Sequence, residues 1–578
     1  VSEALSAFVA DVAQALAAGE VHDKEGLHRA KQRAARRAGL RDLPTDPTLG
    51  RLLSPELQAR FRPLLRAKPM RSGSGVAVVA VMSSPASCPH GKCTFCPGGP
   101  EVDAPQSYTG FEPSTLRAKR YGYDAYRIVR GRLAQLAGNG HAIDKVDVVI
   151  QGGTFPAREA AYQDWFVAGI YAGLNDGPDE QDTAWQGEQE WRDLAPGERD
   201  RRLRALQDAN ESAHCRCIGL TIETKPDWCL EPHIDAMLRH GATRVEIGLQ
   251  ALDDAVLKAT HRGHDLADSR RSLQVARDAG FKVCAHMMPG LPRQGKAGRP
   301  ETRGSGLAGP GLHNPDPESD IEEFRRLFAE ADWRPDMLKI YPTLVVMEGE
   351  TLLKRMWQRG EYTPYDTATA ARVVGEGKSW VPEWCRIQRI DRDIPTTHVE
   401  AGVMNSNLRQ LAQAYRNGRG LPECRCIRCR EAGARMRQGR PVHGDRLALR
   451  RTDYEASAGS EVFLSLEDPV ADAVVAFLRL RRLGATAHRA EAQVPGGAAF
   501  VRELKVYGLV RPLGDDDPEV GSFQHQGHGA ALLREAEGIA FCEWRVGRLL
   551  VIAGPGVKPY YRRHGYKDCG PYVAKDLA

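Results

Sequence analysis

Two short cysteine runs and one glycine-rich turn are the places in this chain where residue type and spacing could support chemistry. Cys88, Cys93 and Cys96 stand in SCPHGKCTFCPGGP with the spacing C-x4-C-x2-C. Three thiolates on a short loop rich in Pro and Gly can wrap a metal centre. Iron–sulfur clusters normally take four cysteines, so a triplet without a local fourth partner leaves one iron to a distant ligand or to a substrate. The competing reading is a zinc knuckle closed by His90 or by a remote residue. Cys424, Cys426 and Cys429 form a tighter run, C-x-C-x2-C, in a basic stretch. Two thiolates one residue apart suit a compact tetrahedral zinc site, with His443 and His398 as candidates for the missing ligand. The other seven of the 13 cysteines are scattered. With no secretory signal in view, they read as buried small residues rather than a disulfide framework.

The third feature is Gln524-His525-Gln526-Gly527-His528-Gly529-Ala530, a Q-x-x-G-x-G turn at the expected start of a helix from Ala530 to Ala540. Such a turn offers unpaired backbone N–H groups and the positive end of the helix dipole, which together hold a pyrophosphate without a metal. A generic glycine turn would look the same in isolation, so its context matters. A strand is expected before it, Val501 to Val510, then an acidic turn at Asp515–Asp517. A further strand, Arg548 to Ile552, follows the helix, and the hairpin Glu461–Pro469 and Ala476–Arg481 precedes the whole group.

The elements that must position the first cysteine loop are short apolar runs, each ending in a polar or glycine-rich turn. The cysteines follow Val76–Met82. Beyond them come Val146–Phe155 with the pair Gly152 and Gly153, Cys217–Pro226, Val245–Gln250, Lys282–Pro292 and Met337–Pro342. Helical stretches such as Leu266–Gly280 intervene. Strands alternating with helices at this spacing predict a parallel (β/α) barrel or part-barrel with its chemistry at the C-terminal strand ends. With 578 residues the chain is long enough for two to four domains, and its composition of 42% hydrophobic and 27% charged residues is that of an ordinary globular protein. No run of about 18 apolar residues and no basic signal-peptide head occurs, so a cytoplasmic protein with no membrane partner is expected.

The net charge of +5 is an average over unlike parts. Between Lys24 and Arg71 stand 13 Lys or Arg against four acids, a net +9, which leaves −4 for the remainder. The cluster His28–Arg37 reads as a basic helix, and Lys31, Arg33, Arg36 and Arg37 are the candidate phosphate contacts. The alternative is a solvated basic face, since few aromatic residues lie nearby to stack bases.

Taken together, CPHGKCTFCPGGP, QSYTGFEPSTLRA, the GGTF turn, LTIETKPDWC, HMMPGLP, DMLKIYPTLVV and SNLRQLAQ resemble the catalytic subunit of the Elongator complex and its free-standing bacterial and archaeal counterparts, the tRNA uridine acetyltransferases. The likeness covers roughly Lys24 to the C-terminus. It implies an α/β protein in which a radical S-adenosylmethionine (SAM) partial barrel is fused to a GNAT-fold acetyltransferase. The expected domains are a basic tRNA-binding segment (1–72), the radical SAM domain (73–350), a cysteine-bearing linker (351–454) and the GNAT domain (455–578). The resemblance further implies a [4Fe-4S] cluster on Cys88, Cys93 and Cys96, SAM on the open iron beside Gly152 and Gly153, and acetyl-coenzyme A as co-substrate. Zinc on Cys424, Cys426 and Cys429 would be structural.

By the same likeness, acetyl-coenzyme A would contact Lys145, the strand Glu503, Leu504, Lys505 and Val506, the turn Gln526, Gly527, His528, Gly529 and Ala530, and Tyr561. Lys145, Tyr560 and Tyr561 are the expected catalytic residues. Lys505 stands where the family usually has His, which puts a side-chain role there in doubt. The implied reaction joins both cofactors. A 5′-deoxyadenosyl radical takes hydrogen from the acetyl methyl group, the carbon radical adds to C5 of the wobble uridine of a tRNA, and electron loss and thioester hydrolysis leave a carboxymethyl group. It requires an external electron donor, and a homodimer is compatible with the sequence.

Three rivals are weighed: a protein lysine acetyltransferase with a structural cluster, a radical tRNA methylthiotransferase, and a tRNA-binding protein with decayed sites. The methylthiotransferase class normally brings a second cluster-binding domain, and all the motif residues named are present, which counts against decay. Two segments, Asn175–Cys215 and Arg293–Asn314, read as surface excursions without chemistry.

Overall fold

The computed structural model describes residues 3–65, 75–179, 185–294, 312–484, 487–507, 523 and 526–577. Four helices open the chain: α1 Glu3–Ala17, α2 Lys24–Ala38, α3 Asp46–Leu52 and α4 Pro55–Leu65. They bury Phe8, Val12, Leu16, Leu27, Leu49 and Leu53 in a small core of their own. The expected basic helix is α2. The Asp23 carboxylate accepts from the Gly26 N–H at 2.7 Å, and Gly39 closes the helix in a left-handed conformation.

The first large sheet curls into a parallel half-barrel of seven strands in simple sequential order. They are β1 Ala77–Met82, β2 Lys145–Gln151, β3 Arg216–Thr224, β4 Arg244–Gln250, β5 Lys282–Met287, β6 Met337–Ile340 and β7 Arg386–Ile390. Val146, Val148 and Ile150, Leu220 and Ile222, and Val245, Ile247 and Leu249 are fully buried on the helix-covered side. The alternate positions of the same strands are polar, and they meet in the barrel interior. A strand shows its opposite faces at successive residues, so one apolar-looking run can carry both rows.

The seventh strand corrects an expected boundary. β7 lies inside 351–454, so that segment completes the barrel before it serves as a connection. Its sequence, RIQRI, carries three polar residues in five and lacks the apolar run that marked the other strands. The segment 175–215 is also unlike the expected surface excursion. Where described, it forms the helices Glu188–Arg192 and Pro196–Asn210, the second packed on Ala160–Asp176, with Trp191 buried. The Asn210 side chain donates to the Cys215 carbonyl and accepts from the Cys217 N–H, tying the segment to the start of β3. Of 293–314, Arg293–Gln294 and Leu312–His313 pair as a short ribbon, and 295–311 lie outside the described residues.

The second large sheet is mixed. Its strands are β8 Ala448–Ala456, β9 Gly459–Asp468, β10 Ala473–Arg482, β11 Ala498–Val506, β12 Arg548–Val551, β13 Lys567–Cys569 and β14 Tyr572–Asp576, in the order β8-β9-β10-β11-β12-β14-β13. β11 and β12 run parallel and pair over Ala498–Val501 only, so β11 continues past its neighbour. The helix His528–Gly538 follows the glycine turn, two residues earlier than expected at its start. The expected strand residues Gly508–Val510, the acidic turn Asp515–Asp517, and Gln524 and His525 lie outside the described residues.

The two sheets are locked together at the N-terminal end of the barrel. Arg502 of β11 donates to both carboxylate oxygens of Asp336 at 2.7 Å and to the Phe281 carbonyl at 2.8 Å. Arg481 binds Asp278 at 2.7 Å, and Tyr572 donates to the Ala279 carbonyl. All of these partners sit just before β5 or β6, so the C-terminal sheet closes the end of the barrel opposite the cysteine loop.

Candidate active site

Cys88, Cys93 and Cys96 lie on the loop after β1, at the C-terminal strand ends, and line a cleft enclosing about 1030 Å³ including its open mouth. The loop is held by backbone and side-chain bonds. Gln106 Oε1 accepts from the Cys88 N–H at 2.8 Å, the Ser107 N–H donates to Cys96 Sγ at 3.1 Å, and Arg262 donates to Cys93 Sγ at 3.3 Å. Gly153 has φ +82°, and a Cβ there would come within 3.8 Å of Cys88 Sγ and 3.4 Å of the Gln106 carbonyl. The glycine pair after β2 therefore lets the strand end pass close beneath the sulfurs.

As free thiols these groups are poorly placed. Burial pushes Cys96 up to about 12, and burial also raises Cys88. A thiol buried beside other thiols ionises readily only when a metal centre takes up the charge. Lys225 and Arg262 supply positive charge nearby. Burial and these two cations pull His90 down to about 4, so its ring is neutral where Nε2 meets Cys93 Sγ at 3.2 Å.

The two cysteine groups differ in a way that separates their chemistry. Tetrahedral zinc–thiolate bonds of about 2.3 Å place sulfurs about 3.8 Å apart. Cys424, Cys426 and Cys429 have all three sulfurs within 4.8 Å of one another, with Cys426 and Cys429 at 3.6 Å. The Cys426 thiol is held well below its ordinary value by hydrogen bonds from Cys424 and Cys429. The first loop is not gathered in this way, as befits a larger centre. Among the described residues no fourth His, Cys, Asp or Glu joins the second group. His398 is engaged by Glu348 and stacked on Phe111, and the described bonds of His443 are made by its backbone, to Asp468 and Arg446. The second group ties the barrel to the C-terminal sheet, since the Ile427 N–H donates to the Cys385 carbonyl beside β7, while Arg430 meets Glu467 and Asp472.

Beneath the first loop the barrel interior is charged. Tyr108 donates to Glu223 at 2.5 Å, Lys339 lies between Glu223 and Glu246, and His286 Nε2 is 3.1 Å from Glu246. Further down, Arg244 pairs with Asp147 at 3.2 Å. No role is legible in the sequence for Asp147, Glu223, Arg244, Glu246, His286 or Lys339 because each sits in or beside a run read as an apolar strand, while Tyr108 lies in QSYTGFEPSTLRA without a role of its own. The signal was present as polar residues at every second position in R-V-E-I-G-L-Q and K-V-C-A-H-M.

The glycine turn forms a second site. Gly527 (φ +79°) caps the helix, and a Cβ on Gly529 would fall 2.9 Å from the Tyr560 hydroxyl and 3.7 Å from Leu504. The turn, Tyr560 and the part of β11 that is paired with β10 but runs beyond β12 therefore converge, with His528 and Ala530 half-buried beside them and Gln526 exposed. Leu504 and Val506 pack on the side of the helix, whereas Glu503 bonds Arg479 at 2.9 Å and Lys505 lies over Tyr507. The Lys505 side chain thus turns away from the turn, and burial and then Arg386 lower its pKa. Tyr561 is buried in the core between Tyr560 and Tyr566. Lys145 opens β2 in register with Arg216, against which Gly556 packs, so it lies at the junction of the two sheets.

Of the four basic candidates on α2, Arg33, Arg36 and Arg37 are exposed. Lys31 is not. It is buried and bonded to Asp46 at 2.7 Å, a structural cation holding α2 to α3, which removes it from the expected contact set. Its place in the helical repeat faces Ala34 and Leu27, a detail that charge counting ignores.

A curled parallel sheet with a three-cysteine loop after its first strand defines a radical SAM protein. The Radical SAM superfamily model matches residues 82–303 and the Radical_SAM C-terminal domain model residues 335–417. A tRNA uridine(34) acetyltransferase of Methanocaldococcus infernus is 41% identical, covering 97% of this chain and 96% of its own. Elongator complex protein 3 of Homo sapiens is 37% identical over 100% of this chain and 98% of its own. The solved archaeal Methanocaldococcus infernus Elp3 with an N-terminal deletion (1–46) superposes with a TM-score of 0.69 at 38% identity, covering 87% of this chain and all of that one. The chain belongs to the tRNA uridine(34) acetyltransferase and Elongator complex protein 3 family.

Proposed function

We infer that the protein is a tRNA-modifying acyltransferase that builds a carboxymethyl group on C5 of the wobble uridine, using SAM and acetyl-coenzyme A. The observation that carries this reading is the presence in one chain of a three-cysteine cleft at one end of the barrel and a glycine-turn module locked by buried ion pairs onto its other end. Cys88, Cys93 and Cys96 would hold a [4Fe-4S] cluster, with Arg262 and Lys225 offsetting its thiolate charge and Gly152 and Gly153 admitting SAM. When bound, that pair supplies a carbon-centred radical after one electron from an external donor.

The GNAT reading of the second sheet rests on the parting of β11 from β12. It frees the backbone of residues 502–506 to pair with the amide arm of acetyl-coenzyme A, while Gly527–Ala530 would hold the pyrophosphate. Tyr560 faces the turn directly, so it is the better placed of the two tyrosines to touch the coenzyme; Tyr561 would position it. Lys145 would act at the junction. We assign zinc to Cys424, Cys426 and Cys429 as a structural tie. The domains would then be a tRNA-facing bundle up to about residue 72, a barrel running through β7, and the acetyl-coenzyme A module from β8 onward. Among the described residues no helix is long and apolar enough to cross a membrane.

The test is mass spectrometry of tRNA nucleosides after anaerobic incubation of the reconstituted protein with reductant, SAM and acetyl-coenzyme A, each omitted in turn. Carboxymethyluridine should appear only with all three. Acetylation of a protein substrate by a cluster-free variant, with no tRNA product from the intact enzyme, would favour the protein acetyltransferase instead.

The basic face gives a separate expectation. Reversing charge at Arg33, Arg36 and Arg37 should weaken tRNA binding and lower the slope of log affinity against log salt by up to about 2 to 3, one counterion per lost phosphate contact. Filter binding at several salt concentrations measures it, and an unchanged slope would mark the face as merely solvated.

A further inference from the structure

The interior of the half-barrel holds a histidine–carboxylate pair in the wall of the cysteine cleft. His286 Nε2 lies 3.1 Å from Glu246, which is itself buried and paired with Lys339. With Nε2–H directed at that carboxylate, Nδ1 is left as the acceptor. This is the arrangement in which a carboxylate fixes the tautomer of a base. The His286 side chain keeps 13% exposure, and His286, Glu246 and Tyr341 all line the cysteine cleft. Tyr341 meets the imidazole edge-on at 5.5 Å.

The position along the strand matters as much as the pairing. His286 is in register with Lys339, and Cys284 with Glu246. Lys282, four residues earlier on β5, lies near enough to Glu503 of the second module for that charge to act on it. At about 3.3 Å per residue the imidazole stands roughly 13 Å above that level. A thioester held on β11 would have to extend about this far along the barrel to meet the imidazole.

We propose that His286, oriented by Glu246, is the general base for thioester hydrolysis, the step that releases coenzyme A from the carboxymethylated uridine. The inference rests on the reaction proposed above and adds a residue to its last step. Nδ1 takes a proton from water, the oxygen adds to the thioester carbonyl, and the C–S bond breaks. The imidazolium then returns its proton to the departing thiolate. The products are a carboxylate and the coenzyme A thiol, with one proton released to solvent and no electron transferred.

The groups around the imidazole are Glu246 from β4, Lys339 and Tyr341 from β6 and its end, and Cys284 on its own strand, with Glu223 beyond Lys339 and Arg389 of β7 in the same cleft. Glu246 is kept ionised, since Lys339, His286 and Arg244 outweigh the cost of its burial. Glu246, Cys284 and His286 are also close enough to hold a metal ion. The Lys339 ammonium on the same carboxylate opposes that use.

The experiment is an anaerobic reaction of the full-length, cluster-loaded protein with tRNA, SAM and acetyl-coenzyme A, comparing wild type with His286→Gln. The variant should form 5′-deoxyadenosine at near the wild-type rate and lose carboxymethyluridine by about 100-fold or more. Its tRNA should carry a mass corresponding to the uncleaved coenzyme A thioester. Free imidazole should restore product in His286→Ala, which a purely structural role would not allow. Wild-type product from His286→Gln, or joint loss of 5′-deoxyadenosine and product without the adduct, overturns the proposal. So does a stoichiometric metal ion in wild type that is missing from the variant. If wild type itself makes no carboxymethyluridine, it is the proposed reaction that fails.

Discussion

Replacing Cys96 by Ala should abolish both 5′-deoxyadenosine formation and uridine modification. Cys96 is buried, receives the Ser107 N–H on its sulfur, and stands in the tight turn where its own N–H donates to the Cys93 carbonyl at 3.0 Å. Removing it leaves two thiolates for a centre that needs at least three, so iron and sulfide content should fall with activity. No compensating ligand is at hand among the described residues, because His90 is engaged with Cys93 and no fourth cysteine is among those lining the cleft. The fold should survive, since alanine fills most of the space of a small buried side chain and the β1 and β2 cores are untouched. Binding of tRNA should stay within a few-fold, because the exposed arginines lie on α2. Chromatography of the nucleoside products and filter binding read the two effects separately. Carboxymethyluridine at the wild-type level in this variant would end the radical reading of the cleft.

How far the sequence could be read depended on whether a residue's neighbours were local. The cysteine loop, the glycine pair and the glycine turn could be located because each is marked by residue spacing within about ten positions. Six of the seven barrel strands are legible because burial under helices demands an apolar row. β7 is not, since RIQRI spends its alternate positions on the polar interior, and β8 is not, since it is an exposed edge of mostly polar side chains. Lys31 and Arg36 are indistinguishable by charge, and only the helical repeat sends one to Asp46 and the other to solvent. The interior network of Glu223, Glu246, His286 and Lys339 gathers residues from four strands spread over more than a hundred positions. No local pattern could announce that they meet.

The junction between the modules carries the second large expectation, because its buried side chains hold β11, whose backbone is the proposed receiver of acetyl-coenzyme A. Asp336 is fully buried and binds Arg502 through both oxygens, while the Val283 N–H donates to it at 2.8 Å. Arg479 lies 3.8 Å away, with Arg277 also near. Burial works against the carboxylate, but these arginines outweigh it and hold Asp336 well below the usual range. Asp336→Ala would leave Arg502 with Glu461 (2.8 Å) as its remaining carboxylate and take away the anion that Arg479 and Arg277 also face, a loss of up to about 3 kcal/mol in a dry interface.

The native carboxylate's contribution is complete above about pH 4, the unfolded value, and is lost as the pH falls through its lowered folded value. Acid should therefore loosen the wild-type junction, and the variant should lack that part of the acid response. Because Arg502 lies on β11, next to Glu503 and Leu504, a loosened junction also displaces the strand that would receive acetyl-coenzyme A. The variant should thus melt earlier, be cut sooner by protease between the barrel and β8, and lose carboxymethyluridine more than 5′-deoxyadenosine. Equal loss of both products, with an unchanged melting midpoint, would mean that the two modules work together by some route other than this contact.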